Sequence, residues 1–125
     1  MFVSNPASHR DQSSDRTGMA LILSRDDPGS VRAALSLSLA AIAAEDAAVI
    51  FFTQTGVRFL QQEVQDATLA EMRLMAQEEG VRLVACSDSV LELGLRPDML
   101  IPGVELAGAL SFYQLARQVA VSLYI

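Results

Sequence analysis

The chain has 125 residues, a formal charge of −6, 51% apolar residues and 19% charged ones. That length suits one domain with a real core, since roughly two-thirds of the unfolded surface is buried at this size, and the composition excludes a disordered chain. The acidic balance argues against nucleic acid, whose phosphates need a basic patch, and against an anionic membrane surface.

One cysteine cannot make an internal disulfide, so a reducing compartment is expected. Residues 1–18 read as a flexible, polar leader without the apolar core of a signal peptide. His9 in it reads as a solvated residue, because no second histidine or Cys/His cluster has metal-ligand spacing. The most apolar run, residues 33–52, is broken by Glu45-Asp46, which argues against a membrane span. The expected location is cytoplasmic.

Met19 to Ser24 is a short apolar run and predicts a buried strand. Asp27 before Pro28 predicts a capped helix start, with the helix running to Ala44. Its apolar residues, from Val31 to Ile42, lie on nearly all sides, which predicts burial on more than one side and a contact with another subunit. Ala47 to Thr53 predicts a second strand, continuous and apolar as parallel strands are. Gln54-Thr55-Gly56 predicts the turn after it, and Val57 to Gln62 a short helix. Gln61 to Ala67 is polar and predicts a loop over the site. Thr68-Leu69-Ala70-Glu71 has the form of a capping box, opening a helix with Leu69, Met72, Leu74, Met75 and Ala76 inward and Gly80 at its end.

Val81 to Cys86 predicts the next strand, running straight into Ser87-Asp88-Ser89. Ser89-Val90-Leu91-Glu92 has the form of a second capping box, with Gly94 as the stop. Pro97 predicts a helical turn, Val104 to Leu106 a short strand, and Ala107 onward a last helix carrying Leu110, Phe112, Tyr113, Leu115 and Ala116. Val119 to Ile125 closes the chain as a strand by its β-branched alternation. Alternating strands and helices predict βαβ units, a mostly parallel sheet of five strands and helices on both faces. The predicted class is α/β, a three-layer domain over residues 19–125.

The chemistry available is narrow. The chain contains no lysine, which removes phosphate-loop and Schiff-base readings. No histidine lies in the folded part to activate Ser24 or Thr53, so a Ser-His-Asp triad is excluded. Asp26-Asp27 reads as helix capping in preference to cation binding. Cys86 remains. A lone cysteine is most often a small buried apolar residue. This one stands where ligands gather in parallel sheets, past a strand's carboxyl end and at a helix start. Amide N–H groups there would lower its pKa and the Asp88 carboxylate would raise it; the sequence leaves the balance open. Arg82 lies back along the strand, away from the sulfur. The expectation is a sulfur open to solvent at the sheet's edge.

Phe51-Phe52-Thr53-x-x-Gly56, Gly80 to Ser89, Leu93-Gly94-Leu95, Pro102 to Glu105 and the ending Ser122 to Ile125 together resemble the DsrE/DsrF-like family of sulfur-relay proteins, in particular its branch named peroxiredoxin-like. The likeness runs from about residue 19 to 125. It implies a flavodoxin-like layered fold, homo- or hetero-oligomers, and a cysteine that carries sulfur as a persulfide, a role that falls to Cys86. Thr53, Gln54, Thr55, Gly56, Ser87, Asp88 and Ser89 would line the substrate side. No cofactor and no metal are implied. The implied partner is a sulfur-carrier or thiol-bearing protein. Two departures alter the site wall: Gln54-Thr55 replaces an aromatic pair, and Ser87-Asp88-Ser89-Val90 replaces a glutamine and methionines. The alternative reading keeps the fold as a non-catalytic, oligomeric module that binds a small ligand or a protein, with Cys86 only packing.

Overall fold

The structure is a computed structural model and describes residues 16–125. Residues 1–15 of the expected leader lie outside the described residues. Five strands follow: β1 Met19–Leu23, β2 Ala48–Phe52, β3 Arg82–Cys86, β4 Glu105–Ala107 and β5 Val121–Tyr124. Four α-helices alternate with them: α1 Pro28–Ala43, α2 Ala67–Glu78, α3 Ser87–Glu92 and α4 Ala109–Ala116. Short 3-10 segments cover Gln54–Leu60 and Pro97–Met99. The three-layer α/β domain predicted from the sequence is the one that forms.

The sheet order is β4-β3-β2-β1-β5, and every pair is parallel. This order decides which helices share a face. The steps β1 to β2 to β3 to β4 all move in one direction, so right-handed crossovers put α1, α2 and α3 on one side. The return from β4 to β5 runs the other way and puts α4 alone on the opposite side. The core divides accordingly. Leu21, Leu23, Ile50, Phe52, Leu83 and Ala85 pack with Val31, Leu35, Leu69 and Val90. On the other face Ala20, Val49, Phe51, Val84 and Cys86 meet Phe112. The alternation of side chains along a strand makes this partition follow from residue parity.

Several local expectations need correction. Helix α2 starts at Asp66 as cap, whose side chain accepts the Leu69 N–H at 3.1 Å, and not at Thr68. A carboxylate is the better acceptor for a free helix N–H. Leu74 and Met75 face solvent, while Arg73 turns inward. Its guanidinium donates to the carbonyls of Phe59 and Gln61 and sits over the Phe59 ring, 5.2 Å from the centroid. Burial holds its pKa below the ordinary arginine value. Helix α1 buries one side only, through Val31, Ala34, Leu35 and Ser38. Exposed apolar residues lie on α4 and β5, at Leu110, Tyr113, Val121, Leu123 and Tyr124, and also at Leu37 of α1, Leu74 and Met75 of α2, Leu91 of α3 and Leu106 of β4. Among the described residues no helix is long and apolar enough to cross a membrane.

Candidate functional site around Cys86

Cys86 ends β3 and caps α3, so the strand-to-helix junction places its sulfur. Register puts Cys86 opposite Ala107 of β4, on the sheet face that α4 covers. Strand β3 is the second from the sheet's edge, and Cys86 is only 7% exposed. The open, edge-lying sulfur expected from the sequence is therefore replaced by a buried one. The reason is topological: β4 pairs outside β3, and α4 folds back over that face.

The surroundings of the sulfur are polar in part. Burial pushes the thiol pKa up, but the polar neighbours, the Ser89 hydroxyl and N–H, the Thr53 hydroxyl and the Asp88 N–H, outweigh it and the net direction is down, although the sulfur makes no side-chain cap bond to α3. Asp88 thus acts through its main chain. Its side chain is exposed. Arg82, also on the α4 face, is tied to Glu105 by two hydrogen bonds of 2.9 and 2.7 Å. The four-residue separation along β3 keeps this pair from Cys86.

The segment after β2 closes the site. Thr53 lies 3.3 Å, oxygen to oxygen, from Ser89, and the Gln54 N–H donates to Ser89 Oγ at 2.8 Å. Gln54 takes a left-handed conformation, φ 52°, to do so. This use of Ser89 explains why it opens no capping box: α3 begins two residues earlier, and the Ser89 hydroxyl is spent across the strand ends. The structure therefore brings together Thr53, Gln54, Cys86, Ser89 and the N–H of Asp88. It does not bring the rest of the expected set to the sulfur by any side-chain bond. Thr55 Oγ1 donates to the Ser24 carbonyl at 3.2 Å. Gly56 is pressed against the Leu23 carbonyl. Ser87 faces Gly108, before α4. The loop 61–66 lies beside Asp26 and Leu69, around a hollow of about 370 Å³, and does not cover Cys86.

Phe112 was not among the sequence candidates, yet it is the lid of this face. Its ring stacks on Phe51 with centroids 4.4 Å apart and planes at 18°. Parity supplied the missing signal: Phe51, Val84 and Cys86 share a face, and the helix returning to β5 has to cross it. A hollow of about 280 Å³ opens next to this stack, between Arg82, Val84 and Glu105 on the strands and Ser111, Phe112 and Leu115 on α4. A larger hollow of about 580 Å³, lined by Arg16, Gln114, Arg117 and Gln118, lies at the carboxyl end of α4. That is the amino-terminal edge of a parallel sheet, the opposite end from Cys86.

Comparison with known proteins agrees with this architecture. The model of the DsrE/DsrF-like family matches residues 18–121. Uncharacterized protein YrkE of Bacillus subtilis (strain 168) is 38% identical over 58 residues, which cover 46% of this chain and 36% of YrkE. The chain thus matches about a third of that protein's length. Among solved structures, MTH1491 of Methanobacterium thermoautotrophicum, described as a protein of unknown function, superposes with a TM-score of 0.66 at 22% identity, over 86% of this chain and 98% of that one. The ychN protein of E. coli superposes with a TM-score of 0.69 at 15% identity, over 88% and 99%. These two likenesses concern the fold.

Proposed function

This chain belongs to the DsrE/DsrF-like family, and from that premise we propose that it is a sulfur carrier whose single thiol, Cys86, accepts and passes on persulfide sulfur. The observation that carries the reading is the place of Cys86, at the carboxyl end of a parallel strand and the start of α3, where neighbouring hydroxyl and N–H groups hold its thiol pKa below the ordinary value. The thiolate attacks the terminal sulfur of a persulfide on a thiol-bearing donor protein. A new S–S bond forms on Cys86, the donor's S–S bond breaks, and the donor leaves as a thiolate. A second thiolate, on an acceptor, then removes that terminal sulfur in the same way. No external oxidant, metal or cofactor enters either step, and a chain with one cysteine suits a relay whose other thiols lie on partners.

Thr53 and Ser87 are half-buried, and Gln54 and Asp88 are exposed. They flank the strand ends beside Cys86, while Phe112 of α4 covers its face of the sheet. The test is to mix the reduced protein with a persulfide donor, remove the donor and weigh the chain. Wild type gains one sulfur, and Cys86→Ser gains none. Absence of the gain, or an equal gain on the serine variant, defeats the reading.

The burial of Cys86 favours a second reading, in which the thiol packs and the protein binds a small ligand or a partner without transferring sulfur. Thiol labelling of the native protein separates the two. Labelling well ahead of unfolding supports the carrier; protection until unfolding supports the binding module. Either reading includes self-association through the apolar surface of α4 and β5, where Tyr113 and Tyr124 are 63% and 64% exposed. Sedimentation of a dilute sample as a monomer counts against that assembly.

A further inference from the structure

We infer that the hollow between the starts of α1 and α2 binds a free α-amino acid with an apolar side chain, its ammonium held by Asp26 and Glu63 and its carboxylate by Arg58. The inference is independent of the carrier reading, because Phe59 and Leu69 of this hollow belong to the α1–α2 side of the sheet and Cys86 to the α4 side.

The hollow lies where the topology favours a ligand. Asp26 follows β1, and Arg58 and Glu63 follow β2, so both walls stand past the carboxyl ends of adjacent parallel strands. Its volume of about 370 Å³ is near the lower end of small-molecule sites, roughly 300–1,000 Å³, and suits a ligand well below the size of a dinucleotide. The floor is apolar: Phe59 and Leu69 are buried, and Val64 is partly buried. It is also held in place. The Phe59 ring meets the Arg73 guanidinium, 5.2 Å from its centroid, and the Phe52 ring, with centroids 6.4 Å apart. Arg73 donates to the carbonyls of Phe59 and Gln61, and Gln61 is bridged to Leu100. A wall fixed in this way needs little ordering when a ligand enters.

The charges decide the ligand. Arg58 lines the hollow together with Asp26 and Glu63, of opposite sign. Yet the ion pairs among the described residues are Arg82 with Glu105 and Arg96 with Asp98, and neither involves these three. Asp66, the other carboxylate at the hollow, is occupied as the cap of α2, where it accepts the Leu69 N–H. Asp27 caps α1 in the same way, through the Ser30 N–H. Carboxylates of the chain itself thus already serve both helix starts, and an anion gains little there. A ligand that carries both signs satisfies the unmatched groups together. A carboxylate makes two parallel hydrogen bonds with a guanidinium, and an ammonium has three donors to share between two carboxylates. A zwitterion is also net neutral, so the charge of −6 on the chain does not repel it. Its apolar side chain covers Phe59, Val64 and Leu69.

The test is an NMR titration of the isotope-labelled full chain with L-leucine and with L-phenylalanine, up to about 10 mM, ten times the dissociation constant of a millimolar site. Saturable shifts are expected at the amides of residues 58–66 and 69. Leucine amide lacks the carboxylate and N-acetylleucine lacks the ammonium, and each binds at least about tenfold more weakly than leucine. Arg58→Gln and Asp26→Asn, both at exposed positions, keep the fold and lower the affinity for leucine about tenfold each. Cys86→Ser leaves the binding unchanged, so failure of sulfur transfer and failure of this site are told apart. No saturable shift with either amino acid overturns the inference. Leucine amide or N-acetylleucine binding as tightly as leucine overturns it too, as does a set of shifts centred on α4 and β4.

Discussion

Phe112→Ala is expected to lower the unfolding free energy by about 3 kcal/mol and to speed alkylation of Cys86 in the native protein. Phe112 is the one buried residue of α4, and its ring lies flat on Phe51. Eight residues make a helix that is marginal in water by itself, so α4 is held by what it packs against. Large-to-small changes at such aromatics cost about 3–5 kcal/mol, and the lower figure applies where one wall of the gap is open to solvent. On this face the remaining contacts of α4 come from Leu115 and Ala116, both only partly buried. Loss of the ring therefore frees the helix locally before the rest of the domain unfolds. Val84 and Cys86, which lie under the same helix, become accessible. Urea unfolding followed by far-ultraviolet circular dichroism reads the first effect, and the rate of iodoacetamide labelling reads the second. Phe112→Leu, which keeps most of the volume, should fall between the two. A Phe112→Ala protein as stable as wild type, with Cys86 labelled no faster, would show that α4 is not the cover of the thiol.

The same face shows what the sequence could and could not reveal. Strands β1, β2 and β3 are short unbroken apolar runs, so they were legible, as parallel strands buried on both faces are. Their order needed tertiary information, because nothing in Met19–Leu23 says that β5 will pair with it. That pairing leaves α4 alone on one side and buries Cys86. The position of Cys86 at a strand end was legible; its exposure was not, since exposure depended on β4 and α4, two short elements from the far end of the chain. Arg73 failed for another reason. A periodic count reads arginine as polar and turns Leu74 and Met75 inward. The guanidinium instead satisfies two main-chain carbonyls and covers an aromatic ring, and its stem packs like an apolar side chain. Ser89 reads from the sequence both as a residue lining the site and as a helix cap, and the cap reading fails because its partner Gln54 is 35 residues away in the chain.

Gly56→Ala is expected to lower the melting temperature by on the order of 10 °C and to loosen the thiol's surroundings at the same time. A Cβ at position 56 would lie 2.3 Å from the Leu23 carbonyl oxygen and 3.1 Å from its carbon. Both atoms are main chain, so no rotamer change relieves the clash; the strand end or the turn has to move. Overpacking of this kind costs about 1–3 kcal/mol or more, and here it also strains the hydrogen bond from the Thr53 N–H to that same Leu23 oxygen, 3.0 Å long. The turn that shifts begins with Thr53 and Gln54, which contact Ser89, in the first turn of the helix that Cys86 caps. Stability and thiol ionisation should therefore change together: a lower melting temperature, and a thiolate midpoint displaced upward as the Thr53 and Ser89 groups that hold the thiol pKa down are moved. Gly29→Ala is the matched control. Its Cβ would meet only Asp27 Oδ2, at 3.6 Å, in the first turn of α1, where removing a glycine is neutral or stabilising by about 0.4–1 kcal/mol. A Gly56→Ala protein that melts within roughly 2 °C of wild type, on the scale by which a domain of this size responds to 1 kcal/mol or less, would mean that the turn tolerates the methyl group. The close approach of Leu23 to that turn would then have no part in holding Thr53 and Gln54 against Ser89.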